Sequence, residues 1–493
     1  MIGDPPTRFR ARVAQLCAEY PDAPAIQFEG RATTWGDVSA RMDGLQSTLL
    51  ACDVGASDAV GLVVRERPPA VGALLALLAL GRPVVLIQSL ASDTELCADV
   101  RRLPVAAVVA ETRDWARDGF AACVRAAAMV GISLGDAPAD VEPLPGRART
   151  AEEPRVGVAP GVAVLVPTSG TTGAPRRHPV TNETLDRARA GVTVRDPTQT
   201  RGVTINAVPL SSIGGFMGLV ATVWRGRPIA VMERFDVDRW AALVREHRPR
   251  RIGVPPAAIA AIVDRDLPRE WFDGVRWLAT GSAPLDPAAA RRFADRYGIG
   301  VLNAYGATEF GGPVVSWRED DWERWNTTKL GSVGRPLPGV EVRLAPADTA
   351  PDADAGVLEV SRDGGPWTRT NDLARIDTDG FVWILDRVDD VIVRGGFKIR
   401  AGEVEDALVD HERVGEAVVV GIPDRRLGSV PAAMVTLRGE GVPVTGEDLR
   451  AHVRSRLAPY KVPVMVRIVD EIPRNAMMKP RRAEIREALG GAT

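Results

Sequence analysis

Six consecutive residues, Thr168-Ser169-Gly170-Thr171-Thr172-Gly173, hold four hydroxyls and two glycines, and an apolar run from Val162 to Val166 leads straight into them. Glycine lets the backbone approach a charged group, and successive N–H groups in such a turn form a nest for an anion. Arg176 and Arg177 add positive charge just beyond. This is the composition of a phosphate cradle, although the Gly-x-x-x-x-Gly-Lys-Ser/Thr spacing of a P-loop is missing. A Ser/Thr/Gly loop by itself is also an ordinary turn, so its weight comes from what accompanies it.

Three further groups accompany it. Asn303-Ala304-Tyr305-Gly306-Ala307-Thr308-Glu309 closes an expected strand, and open α/β sheets take ligands at strand ends. Thr308 can donate to a phosphate there, and Glu309 can hold a magnesium ion. Asn371-Asp372 and the run Asp386-Arg387-Val388-Asp389-Asp390 supply carboxylates, of which Asp372 is spaced to take two ribose hydroxyls. Lys479 ends the stretch Pro473 to Lys479. Only four of the 62 lysines and arginines are lysine: Lys329, Lys398, Lys461 and Lys479. The trend reads as codon bias. Where lysine survives it, a compact ammonium that guanidinium cannot replace is a physical reason.

The elements that must position these groups alternate. Thr34 precedes a helical pattern from Trp35 to about Leu50, with Asp37 in its first turn. Val60–Val64, Val84–Ile87 and Val105–Val109 read as buried strands, and Pro68 to Leu80 as a helix. Such alternation implies a parallel α/β sheet. Residues 134–160 read as a surface connection. From about 330 short β segments with Gly and Pro turns take over. After Arg387 a last unit reads as strand, helix (Ala401–Val409), two strands (Ala417–Val420 and Ala432–Leu437), helix (Thr445–Leu457) and strand (Met465–Val469).

Composition excludes several classes. Across 493 residues the chain is 45% hydrophobic and 26% charged, as in globular proteins. Net charge is −2, and 64 acids balance the arginines, so nucleic acid is not expected as a partner. The longest apolar run, Val71 to Leu80, is far shorter than the roughly 20 residues that span a bilayer, so no membrane partner is expected either. The opening ten residues lack the apolar stretch of a secretory signal. Cys17, Cys52, Cys97 and Cys123 show no CxxC pair, so neither a disulfide framework nor a zinc site is expected, and a reducing cytoplasmic location fits.

Taken in order, the motifs resemble those of the adenylate-forming superfamily, which contains acyl- and aryl-CoA synthetases, peptide-synthetase adenylation domains and luciferases. The resemblance covers nearly the whole chain. It runs from Pro21–Ile26 and Thr34–Asp37 through Ser169–Pro175, Gly281-Ser282-Ala283-Pro284-Leu285 and Tyr305–Glu309. It continues through Asp372–Arg375, Arg387–Asp390, Arg394–Ile399, Leu457–Pro463 and Pro473–Lys479. It implies an α/β fold: a large N-terminal multi-layer α/β domain over 1–386 and a small mobile α+β C-terminal domain over 387–493, hinged near Asp389.

The resemblance also implies chemistry. With ATP and Mg2+, a small-molecule acid becomes an acyl adenylate, pyrophosphate leaves, and a thiol, CoA first among the candidates, then displaces AMP. Thr168 to Gly173, with Arg176, would hold the β/γ-phosphates. Thr308 would touch the α-phosphate, Glu309 would ligate magnesium, and Tyr305 would stack on adenine. Asp372 with Arg387 would take the ribose. Lys479 would bridge the attacking carboxylate and the α-phosphate. Ser212, Gly214, Gly215, Phe216, Gly281, Ser282, Ala283, Gly306 and Gly311 would wall the acid pocket, with glycines leaving room. Lys398, beside Gly395-Gly396-Phe397, would meet a CoA phosphate.

The chain departs from the pattern at Arg177, Ser212, Asn371, Asp386 and Met478, where the family usually has Gly, His, Gly, Gly and Gly. No Asp stands near Ser212 to Phe216 to pair with an α-ammonium, so an aryl or medium-chain acyl acid is expected rather than an amino acid. Alternatives are a separate carrier protein or an amine as acceptor, a nitrite-activating diazotase of the same superfamily, and a nucleotide-binding protein without catalysis. The last is disfavoured by Glu309 and Lys479. The oligomeric state is left open.

Overall fold

The computed structural model describes residues 7–145, 149, 156–168, 176–189, 197, 202–346, 354–439, 441–475 and 479–490. They belong to two compact units, one of residues 1–301 with 306–313, the other of 302–305 with 314–493.

In the first unit a seven-stranded sheet has the spatial order Val141–Pro143, Val130–Leu134, Ala107–Glu111, Val60–Val64, Val84–Gln88, Val162–Thr168, Arg176–Thr181. The five inner strands are parallel and both edge strands antiparallel. Every residue of Val60–Val64 is buried, as expected for a strand covered on both faces. The two-residue strand period explains which cover each side chain meets. Val60, Leu62, Leu86 and Val109 join the core that contains the Pro68–Ala79 helix. Val63, Val85 and Val108 join the opposite core, with Val100 and Phe120. A second sheet runs Thr204–Ile205, Ile229–Ala230, Pro24–Phe28, Arg31–Thr34. Thr34 ends it and caps the Trp35–Ala51 helix: its hydroxyl accepts from Asp37 N at 3.1 Å, and the Asp37 carboxylate accepts from Thr34 N at 2.8 Å. Such a box satisfies two orphan N–H groups at once.

In the second unit Val340–Ala345, Ala355–Arg362, Thr368–Ile376 and Val382–Arg387 form an antiparallel sheet. The chain then enters a mixed sheet ordered Phe397–Ile399, Ile392–Arg394, Gly428–Leu437, Val414–Asp424, with Val466–Ile468 parallel to Gly428–Leu437. Alternation again separates two cores. Val419, Ala433 and Val435 pack with the Ala401–Val409 and Gly446–Arg454 helices. Val418, Ala432 and Met434 pack with Ile485 and Leu489 of the Arg482–Gly490 helix.

One expectation is corrected. The cysteines were expected to be reduced, but Cys97 and Cys123 form a disulfide with Cα atoms 5.7 Å apart, joining the Asp93–Val100 and Phe120–Ala126 helices. Folding brings them together from 26 residues apart, so no short spacing announces the pair. Cys17 and Cys52 are free and buried. Among the described residues, no helix is long and apolar enough to cross a membrane.

Candidate active site

In the second unit Asp372 sits on the Thr368–Ile376 strand directly across from Arg387, with Arg387 Nε 3.7 Å from its Oδ1. Tyr305 donates its hydroxyl to Asp372 Oδ2 at 2.5 Å, and Asp372 N donates to Thr370 Oγ1 at 3.1 Å. Burial pushes the Tyr305 phenol far up, and the Asp372 charge and their hydrogen bond push it further. The phenol therefore stays a donor, and the carboxylate is held in one orientation. An oriented carboxylate with a second oxygen beside a guanidinium is a fitting receptor for a diol.

Two residues that replace family glycines are engaged close by. Asn371 Nδ2 donates to Asp389 Oδ2 at 2.5 Å. The Asp386 carboxylate accepts from Arg387 N at 2.8 Å and from Gly402 N at 3.1 Å. Lys479 is half-buried: its N–H donates to Asn475 Oδ1 at 3.0 Å and its carbonyl accepts from Asn475 N at 2.9 Å. Met478 lies outside the described residues. Lys398 is exposed on the Phe397–Ile399 strand.

In the first unit Ser169 to Gly173 lie outside the described residues, as does the side chain of Thr168. The stem of that loop is closed by Thr168 paired in register with Arg176, which is exposed. Arg177 is spent elsewhere. It grips Asp99 at 2.6 and 2.9 Å and donates to the Leu86 carbonyl, so its charge anchors the strand to the sheet. Thr308 and Glu309 form a single 3-10 turn with Phe310, ended by Gly311 at φ +68°. Glu309 is exposed, and His178 lies within its electrostatic reach. Burial holds the His178 imidazole below its usual range, and Glu309 opposes that shift.

The residues expected to wall an acid pocket divide by what surrounds them. Ser212 caps the Ile213–Arg225 helix, donating to the Pro209 carbonyl at 2.7 Å and accepting from Gly215 N at 3.1 Å. Gly215 does not leave room: a Cβ there would lie 2.2 Å from the Pro209 oxygen. A Cβ on Gly306 would lie 2.3 Å from the Gly312 oxygen. Phe216 is a core side chain, 0% exposed. Gly214 is the open one, with only Ser282 Oγ within 4 Å of a Cβ built there, at 3.8 Å. Ser282 has φ +71°, a conformation that costs a non-glycine residue about 1–2 kcal/mol. Gly281 and Ala283 flank it. Gly311 faces Thr184, whose methyl group would lie 3.0 Å from a Cβ on that glycine.

Sequence reasoning missed Glu66, His178 and Asp99. Glu66 is 7% exposed and accepts from Leu210 N at 2.8 Å, two residues before Ser212. Its carboxyl is pushed up to about 7, mainly by burial, against the pull of the Leu210 N–H and Arg65. An acid between two arginines directly after a buried strand was the available signal. Among the described residues no group of three or more His, Cys, Asp or Glu could hold a metal ion. One carboxylate such as Glu309 is nonetheless enough for magnesium when substrate phosphates complete the shell.

The first unit is thus an α/β unit with two cores, and the second carries an antiparallel sheet, a mixed sheet and the Tyr305–Asp372–Arg387 cluster. The chain belongs to the AMP-binding enzyme family. That family's model matches residues 13–364, and the AMP-binding enzyme C-terminal domain matches residues 403–479. It is an adenylate-forming, ATP-dependent acid ligase. Relatives include a 2-succinylbenzoate–CoA ligase of Bacillus pumilus (strain SAFR-032), 27% identical over 488 residues, covering 94% of this chain and 95% of the relative. A sulfoacetate–CoA ligase of Cupriavidus necator is 29% identical, with 96% of each chain covered. The fold is shared with ATP-bound MatB from Rhodopseudomonas palustris, at TM-score 0.82, 24% identity and 99% coverage of both chains. It is shared also with the amide bond synthetase McbA from Marinactinospora thermotolerans, at TM-score 0.80 and 24% identity, covering 98% of this chain and all of that one.

Proposed function

We propose that this enzyme activates an aryl or medium-chain carboxylic acid with ATP and transfers the acyl group to the thiol of CoA. The observation that carries the reading is the Tyr305–Asp372–Arg387 cluster, placed within a chain whose relatives over nearly its full length are CoA ligases. Asp372 takes the ribose diol, with Arg387 beside it. Thr308 donates to the α-phosphate, and Ser169 to Gly173, with Arg176, receive the outer phosphates. Glu309 would hold Mg2+, which supplies positive charge against the phosphate oxygens. Lys479 places its ammonium where negative charge gathers as the carboxylate oxygen attacks the α-phosphorus and pyrophosphate departs. The pocket wall at Gly214 and Ser282 carries no charge, which favours an acid without an ammonium. ATP and CoA as substrates support a cytoplasmic setting.

Removing the Lys479 charge tests this reading. Lys479→Ala is expected to slow pyrophosphate release by on the order of 10²–10³, as when an oxyanion donor is lost, while ATP affinity stays within a few-fold. Pyrophosphate release at the wild-type rate would remove Lys479 from the chemistry. Supplying CoA, a carrier protein or an amine to preformed adenylate separates the acceptors.

A further inference from the structure

Asn371 and Asp386 each stand where the resemblance calls for glycine, and each makes hydrogen bonds that glycine cannot. Successive residues of a strand point to opposite faces. The Thr368–Ile376 strand therefore turns Asp372 to Tyr305 and Asn371 to Asp389, in the short turn Val388–Asp390. The segment is held from its other side too: Asp386 accepts the Gly402 N–H at the start of the Ala401–Val409 helix. Arg482 lies 3.4 Å from Asp390 and 2.9 Å from Glu405.

We propose that Asn371 is a positioning residue that clasps Asp389 to the ribose-binding strand, so that any rotation of the C-terminal residues about Asp389 must first break this bond. The inference rests on the two-step reading above, with a hinge at Asp389. Backbone turning at residue 389 carries its carboxylate away from the Asn371 amide, whose own position is fixed by the sheet. A chain with glycine at 371 would turn there against the contacts of Asp386 and Asp390 alone. Both partners are solvent-accessible, so the clasp is a brake of modest strength and no permanent lock.

The test uses the full-length enzyme with three variants: Asn371→Gly, Asn371→Asp, and the swapped pair N371D/D389N, which restores an amide opposite a carboxylate. Amide exchange over residues 388–394 reads the clasp without chemistry. The ratio of acyl transfer to adenylate formation, each in a single turnover, reads the rotation. Asn371→Gly and Asn371→Asp are expected to exchange about fivefold faster, the worth of one exposed hydrogen bond to a charged group. They are expected to raise the transfer-to-adenylation ratio by a similar factor, and the swap should return both readouts towards wild type. Unchanged exchange in both single variants would overturn the clasp. Faster exchange with an unchanged ratio would overturn the hinge at Asp389, while leaving adenylation itself in place.

Discussion

Glu66 is a carboxyl 7% exposed to water, holding one backbone N–H of the loop that leads to Ser212. The charges that bear on it are Arg65 and Glu233. Because its folded-state value, about 7, lies above the ordinary 4.5, the folded chain holds this proton more tightly than the unfolded chain. That contribution to stability is complete below about pH 4.5 and is lost as pH rises through 7. Glu66→Gln keeps an acceptor for Leu210 and cannot ionise. Between pH 5 and 8 the wild type is expected to lose stability relative to this variant, by on the order of 2–3 kcal/mol. Urea midpoints at the two pH values check it, and parallel pH profiles would contradict it. At this scale the sequence was legible where a residue acts through its own chemistry. Asp372, Tyr305 and Arg387 were named from motif alone, and folding places them together. Arg177 was read only as added charge beside the phosphate loop, because Asp99, with which it pairs, is 78 residues away along the chain.

The helix capped by Ser212 shows how an element commits a side chain that stands at a proposed pocket wall. Its hydroxyl is committed to the Pro209 carbonyl and Gly215 N, so it is not free to act as the gate imidazole of the family would. Ser212→Ala is expected to destabilise the first unit by about 1 kcal/mol, and Ser212→Thr, whose hydroxyl can still cap and donate, by less. Equal losses in a urea titration would show that capping is not what the residue does. The Ala401–Val409 helix and the strands with continuous apolar runs were legible from their period. The Arg8–Glu19 helix was not, because arginines interrupt its buried stripe of Phe9, Val13 and Leu16. The strands Arg176–Thr181 and Phe397–Ile399 were missed as well. They are edge strands, the first mostly polar and the second only three residues long, whose pairing is decided by their neighbours and not by their own pattern.

The order of the motifs along 493 residues carried more than any single one of them, because each alone is an ordinary turn. The element pattern predicted a parallel α/β core, short β segments from about 330 and a closing α+β unit, and the folded chain has a mainly parallel sheet, an antiparallel sheet and a mixed sheet in those places. It could not predict which long-range pairs form, such as Cys97 with Cys123 or Glu66 with Leu210, since nothing in local spacing encodes them. The whole molecule is expected to turn a carboxylate and ATP into an adenylate before any thiol is present. That expectation is tested most directly by measuring pyrophosphate release with MgATP and hydroxylamine, without CoA, across aryl acids, medium-chain acids, amino acids and nitrite. Release, with formation of the matching hydroxamate, is expected for an aryl or medium-chain acid. Release with nitrite alone, or with none of the panel, would contradict it.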